Sequence, residues 1–162
     1  MPRPEPVLRR IDDPASQKFR RIGLRFAGLA TAAMLCTLKL VLRAINQTRG
    51  TVLCAQVEEA TTAVERGRGL IGRTGLAPRC GILIGCGPLL SIMWIHTFFM
   101  RFPIDIVFLD RGNRIMRVSS GVKPWRLTAP VFGAHRVLEI EAGAAARNSS
   151  RPGDQVTFEE LA

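Results

Sequence analysis

A histidine and an aspartate stand in one of the most apolar and aromatic stretches of the chain, WIHTFFMRFPIDIVFLDRGN, Trp94 to Asn113. An imidazole can exchange a proton near neutral pH or ligate a metal. A carboxylate set between Ile104 and Ile106 must find a partner or neutralise itself, because burying it unpaired costs several kcal/mol. The partners on offer are an arginine, such as Arg73 or Arg101, or backbone N–H groups. Two roles compete for Asp105. In one it joins His96 and Cys86 in a metal-dependent or hydrolase-like centre. In the other it pins a loop or a capped helix to a sheet, and structural pairing of this kind is a common source of perturbed groups.

His96 and Met100 lie four residues apart, which in strand geometry places them on one face. With Met93 and Cys86 they would offer soft ligands suited to copper(I). Two ligands do not make a site, and methionine in such a run is usually core filler, so no metal and no cofactor are expected. The four cysteines, Cys36, Cys54, Cys80 and Cys86, form no C-x-x-C pair and read as free thiols of a reducing compartment. Nothing in the spacing sets Cys80 or Cys86 against His96 or His135 as an activated nucleophile. No G-x-S-x-G, H-E-x-x-H, Walker-type or dinucleotide-binding glycine pattern occurs, and the glycines of ERGRGLIGR do not match a phosphate loop.

The charge is carried by arginine. Among 162 residues the formal net charge is +10, and lysine occurs only at Lys18, Lys39 and Lys123. Arginine forks suit carboxylates and phosphates. Discounting the first 37 residues leaves 16 basic and 10 acidic groups, a modest +6. There is no tyrosine, and the phenylalanines crowd an apolar run where a base-stacking platform would space them among arginines. A nucleic-acid partner is therefore disfavoured against a small polar or anionic ligand.

The elements that must position these groups begin beyond an N-terminal extension, residues 1–37, that reads as flexible or signal-like. Its apolar run Phe26 to Leu38 is short against the ~20 residues needed to span a bilayer. It fits a signal-peptide core better, and Arg20-Arg21 is loosely twin-arginine in character, but no A-x-A cleavage site follows. Met34 is an alternative start. The expected compartment is the cytoplasm; export or membrane tethering through residues 26–38 is the competing reading.

Residues 38–162 read as one globular domain, and a hydrophobic content of 47% supplies a core. LKLVLRAI and TVLCAQV flank a turn cluster and make a hairpin. Thr62 and Glu65 form a capping box for a short helix whose apolar stripe would be Val64, Leu70 and Ile71, ending at Gly72 or Gly75. Ile82–Ile84 is a short strand, and SIMWIHTFFM reads as another. In IDIVFLD, Ile104, Ile106 and Phe108 share one face and Asp105, Val107 and Leu109 the other. DRGN turns the chain into the paired strand RIMRVSS. GVKPWRLTAPVFGA is a loop, HRVLEIE a strand, AGAAARNSSRPGD a helical turn and loop, and QVTFEEL a closing strand. The fold class is mainly β: a β-sandwich or barrel-like domain of about seven short strands with one or two short helices.

ATTAVERGRGLIGR, IHTFFMRFPIDIVFLDRGNRI, GAHRVLEIEAGAAA and RPGDQV, in this order and spacing, closely resemble the family known as domain of unknown function 192. NQTRGTVLCAQVEEA is similar to the start of its shorter bacterial members. The resemblance covers roughly Leu38 to the C-terminus. It implies a compact, mostly β domain and no established activity, so no catalytic residues transfer. GPLLSIMW separates Cys86 from the I-H-T-F segment, where the family pattern is shorter. The function expected is a binding or accessory module for a small polar or anionic ligand. Its candidate contacts are Arg66, Arg73, His96, Met100 and Asp105, where the Arg66–Arg73 element meets the His96–Asp105 segment. A metal-dependent or hydrolase-like enzyme using Asp105, His96 or Cys86 and a weak nucleic-acid binder are the alternatives.

Overall fold

The computed structural model describes residues 41–86 and 92–161. The N-terminal extension, its apolar run, Cys36 and most of the GPLLSIMW insertion lie outside the described residues.

Alternating apolar and polar positions give the first strands. β1 (Val41–Asn46) and β2 (Thr51–Ala60) form the expected antiparallel hairpin. β3 (Cys80–Gly85) follows, then the two-residue β4 (Ile92–Met93), β5 (Ile104–Leu109), β6 (Ile115–Val122), β7 (Val131–Phe132), β8 (Arg136–Glu141) and β9 (Val156–Glu160). Two short helices, α1 (Ala63–Arg68) and α2 (Ala144–Arg147), complete the described elements. Seven strands join in the order β6-β5-β8-β3-β2-β1-β9, a curled sheet forming a half-barrel, and β4 pairs with β7 in a small second sheet. The architecture is thus the barrel-like form of a mainly β domain.

β5 and β8 lie inside this sheet, and every residue of β5 is buried. The strand's period of two sends its side chains into two separate cores. Val107 and Leu109 join Leu83, Leu138 and Ile140 beneath α2, while Ile104, Ile106 and Phe108 join Ile82, Ile84 and Val137 on the other face. Each fully buried side chain of this size is worth about 1.5–3 kcal/mol relative to an exposed one. Gly81 lets β3 and β8 approach closely, since a Cβ there would stand 2.7 Å from the Glu139 carbonyl oxygen.

All strand pairings in the large sheet are antiparallel except β2 with β3. A parallel pair cannot be joined by a tight turn and requires a crossover. Here α1 and the glycine-rich chain after it supply that crossover. α1 starts with the expected capping box: Glu65 N–H donates to Thr62 Oγ1 at 3.1 Å, and Thr62 N–H donates to Glu65 Oε2 at 3.1 Å. It ends earlier than expected, at Gly69, whose φ of 48° suits a residue without a side chain. The expected apolar stripe is also revised: α1 buries no residue, Val64 is exposed, and only Leu70 beyond the helix is fully buried. The SIMWIHTFFM segment is mostly irregular. Among its described residues it pairs only at β4 and at a single bridge from His96 to Leu127. Thr97 fixes it, donating from Oγ1 to the Lys123 carbonyl at 2.7 Å and accepting from Arg126 N–H at 2.9 Å. Among the described residues no helix is long and apolar enough to cross a membrane.

Candidate functional site

Asp105 points into the core beneath α2. Its Oδ1 accepts from Gly121 N–H at 2.7 Å and its Oδ2 from Ala145 N–H at 3.0 Å. Both oxygens are thus bound by backbone, and neither Arg73 nor Arg101 supplies the partner. The carboxylate ties β6 and the start of α2 to β5, the second strand of the sheet. It faces away from His96, so the structure does not bring Asp105 and His96 together.

The opposite face of the sheet carries a second buried carboxylate, Glu139 of β8. Glu139 pairs in register with Ile106 of β5 and Ile82 of β3, so it stands among apolar neighbours in the middle of the sheet. It is 3% exposed, and its Oε2 has no hydrogen-bond partner among the described residues. The crossover passes directly above it: a Cβ built on Gly69 would lie 3.6 Å from that oxygen. Burial in this apolar setting pushes the carboxyl up to about 7, opposed by the positive charge of Arg73.

Glu139 forms the floor of a cleft of about 170 Å³ lined by the Arg66–Ile71 crossover, Ile84, Trp94, Ile95, His96 and Met100. His96 is half-buried, its Nδ1 has no hydrogen-bond partner among the described residues, and its ring stacks on Phe98 with centroids 5.3 Å apart. Met100 is buried in the apolar core of the same face. His96 and Met100 therefore reach one cleft, by way of the turn at Phe98–Phe99 and not along a continuous strand. Arg66 lines the cleft and donates from Nη1 to the Thr61 carbonyl at 2.7 Å. Arg68 also lines it, with its Nη2 on the side of Gly72 and the neighbouring cleft, and its guanidinium makes no hydrogen bond or ion pair with a described residue. Arg73 sits on the far side of the crossover, lining a neighbouring cleft with Glu65, Arg68 and Gly72. It is held by Glu58, with Nη2 to Oε2 at 2.8 Å and Nη1 to Oε1 at 3.2 Å, and this pairing raises its already high pKa.

Aromatic rings continue outward from the cleft. Trp94 is 56% exposed. Phe98 approaches Trp125, and Trp125 meets the Phe99 ring edge-on with centroids 4.8 Å apart. Phe99 and Trp125 both have φ near +60°, which is uncommon for bulky residues. Such strain persists only where the surroundings hold it. Cys86 packs at the edge of the same core, its N–H bound to the His135 carbonyl at 2.7 Å. Cys54 is buried among apolar groups, which pushes its thiol up to about 12 and leaves it a poor nucleophile. Among the described residues no three His, Cys, Asp or Glu side chains converge as metal ligands.

The residue that reading the sequence missed is Glu139. In RVLEIE, Glu139 and Glu141 fall on one parity and Leu138 and Ile140 on the other, the pattern of a strand with one wet face. Only the crossover, which covers that face at Glu139, turns the position into a buried one. The available signal was its kinship with Asp105: in both strands an acid is flanked by two large aliphatic residues.

A family model described as uncharacterised ACR, domain of unknown function 192, matches residues 44–158. A UPF0127 protein of Thermococcus sibiricus is 30% identical over 115 residues, covering 71% of this chain and 73% of that protein. The crystal structure of a Sinorhizobium meliloti protein, described there as a candidate transcription regulator, aligns with a TM-score of 0.64 at 25% identity, covering 74% of this chain and 93% of that one. A Novosphingobium aromaticivorans protein of unknown function aligns with a TM-score of 0.62 at 24% identity, covering 83% and 99%, and supports the fold.

Proposed function

The chain belongs to the domain of unknown function 192 family, which brings no reaction with it, and from its own site we propose that it is a binding module for a small polar ligand held in the cleft over Glu139. One observation carries this reading. A carboxylate without a hydrogen-bond partner among the described residues stands in an apolar core and lines a cleft open to solvent. Buried polar groups are nearly always partnered, and an exception calls for an explanation. A hydrogen-bond donor on a ligand supplies that partner. His96 Nδ1 offers a second point of attachment, Arg66 and Arg68 offer positive charge at the rim, and Trp94 offers an apolar wall. A few convergent polar groups in a largely apolar concavity are the usual makeup of a small-molecule site.

The size of the cleft agrees. A cavity on the order of 150 Å³ takes a molecule the size of benzene, so about 170 Å³ suits one small metabolite and not a polymer. The test is a backbone-amide NMR screen of the full chain with a library of small polar compounds. Binders are expected to shift Gly67–Leu70, the Trp94 indole and Ile95–His96, and the Glu139→Gln variant is expected to lose those shifts. Binders that act only elsewhere, or that ignore Glu139→Gln, would refute the reading.

A further inference from the structure

We propose that the ligand of this cleft is a zwitterion of free amino-acid type, its ammonium group bound to the Glu139 carboxylate and its carboxylate bound by the arginines of the crossover. This deepens the reading above and rests on it. The floor of the cleft holds a single acid, 3% exposed, whose carboxylate has no hydrogen-bond partner among the described residues. A buried carboxylate in an apolar setting is best satisfied by a positive, hydrogen-bonding group. A simple cation would meet repulsion at the rim from Arg66 and Arg68. A simple anion would suit the rim and be repelled by an ionised floor. A molecule carrying both charges a few ångströms apart matches both.

The arginines differ in readiness for this role. Arg73 is already forked onto Glu58 through two hydrogen bonds. Arg66 spends one N–H on the Thr61 carbonyl. Arg68 lines both clefts, and its guanidinium, which has no partner among the described residues and rests beside Gly72, is uncommitted to any described group and within a side-chain rotation of the cleft over Glu139. It is therefore the fork assigned to the ligand's carboxylate, with Arg66 in support. Trp94 and Met100, which line the same cleft, are placed for an aliphatic side chain. L-Leucine is accordingly the probe.

The groups facing Glu139 set the pH dependence. The crossover presents Arg66, Arg68 and Arg73, the 92–100 segment presents His96, and the neighbouring strands present Ile82 and Ile106. Binding an ammonium group requires Glu139 ionised, and its carboxyl stands at about 7. Leucine stays zwitterionic across this range, so its affinity should fall about tenfold per pH unit below neutrality.

The experiment is titration calorimetry of the full chain with L-leucine, N-acetyl-leucine, leucinamide and methyl glucoside at about pH 8 and about pH 5.5. Leucine is expected to bind at the higher pH and to weaken at least tenfold at the lower. N-acetyl-leucine, which lacks the cation, and leucinamide, which lacks the anion, should each bind at least tenfold more weakly than leucine. Glu139→Gln and Arg68→Ala should each abolish leucine binding while leaving a folded protein, checked by circular dichroism. Affinity for leucine no greater than for N-acetyl-leucine, or affinity that does not fall with pH, overturns the zwitterion. If leucine fails while the glucoside or another polar compound binds through Glu139, the zwitterion falls and the cleft reading stands. If leucine fails and the wider polar library also leaves the cleft untouched, both fall.

Discussion

Two carboxylates in adjacent strands meet opposite fates. Asp105 and Glu139 stand on β5 and β8, which pair so that Asp105 faces Ile140 and Ile106 faces Glu139. Their side chains leave the sheet on opposite faces. Asp105 finds two backbone N–H donors; Glu139 keeps an oxygen with no donor among the described residues. The first is a structural group. Asp105→Asn swaps one acceptor oxygen for an amide that cannot serve either N–H, leaving a buried donor unpaired. It should cost about 1–3 kcal/mol, read as a lower midpoint in urea unfolding, and leave leucine binding in place. The sequence pointed to Asp105 because no polar neighbour excused it. It passed over Glu139 because Glu141 two residues on made that face look wet. Strand parity alone does not reveal which wet-looking positions a later crossover will cover.

At the scale of elements, the crossover between the parallel strands β2 and β3 is what makes a site. Its capping box and its glycines were legible, since Thr62, Glu65 and the R-G-R-G spacing are local signals. Its path was not, because the parallel pairing of β2 with β3 depends on non-local register. The same limit explains SIMWIHTFFM. Its apolar content resembles a strand, yet Thr97 anchors it by side-chain hydrogen bonds to a distant loop, and it becomes a wall of the cleft. α1 buries no residue, so its order depends on its cap and on Leu70. Thr62→Ala removes the cap and should cost about 1 kcal/mol locally. Amide exchange in Ala63–Gly69 should then speed about fivefold while β5 and β8 stay protected. Equal acceleration throughout the sheet would show that α1 is not a separate unit.

For the whole molecule, the fold class, the hairpins and the two faces of β5 were readable from local pattern; that each face has its own core was not. The curl and the strand order were not. Stability against pH should carry the mark of two oppositely shifted acids. Asp154 joins the first hairpin to the C-terminal loop through Arg49 and Asn46, at 2.9–3.0 Å. The Arg49 hydrogen bond holds its carboxyl down at about 2. That contribution is present above the ordinary carboxylate range and is lost as pH falls through about 2. Glu139 works the other way. Its folded carboxyl is raised from 4.5 to about 7, so the folded state holds its proton more tightly than the unfolded one. Stability falls as pH rises between those values and levels off above the higher one. The penalty at alkaline pH is on the order of 3 kcal/mol. Glu139→Gln should therefore raise the melting temperature at about pH 8 and change it little at about pH 4, as thermal scans at the two values would show.

The most direct measurement is a carbon-13 NMR titration of the Glu139 side-chain carboxyl in the full chain, alone and with saturating L-leucine. Alone, the group should titrate at about 7. With leucine bound, an ammonium beside the carboxylate favours the charged form, and the titration should move down by at least one unit. A carboxyl that titrates at its ordinary value of 4.5 would contradict a ligand site built on Glu139, and one that leucine leaves unmoved would contradict the zwitterion as its ligand.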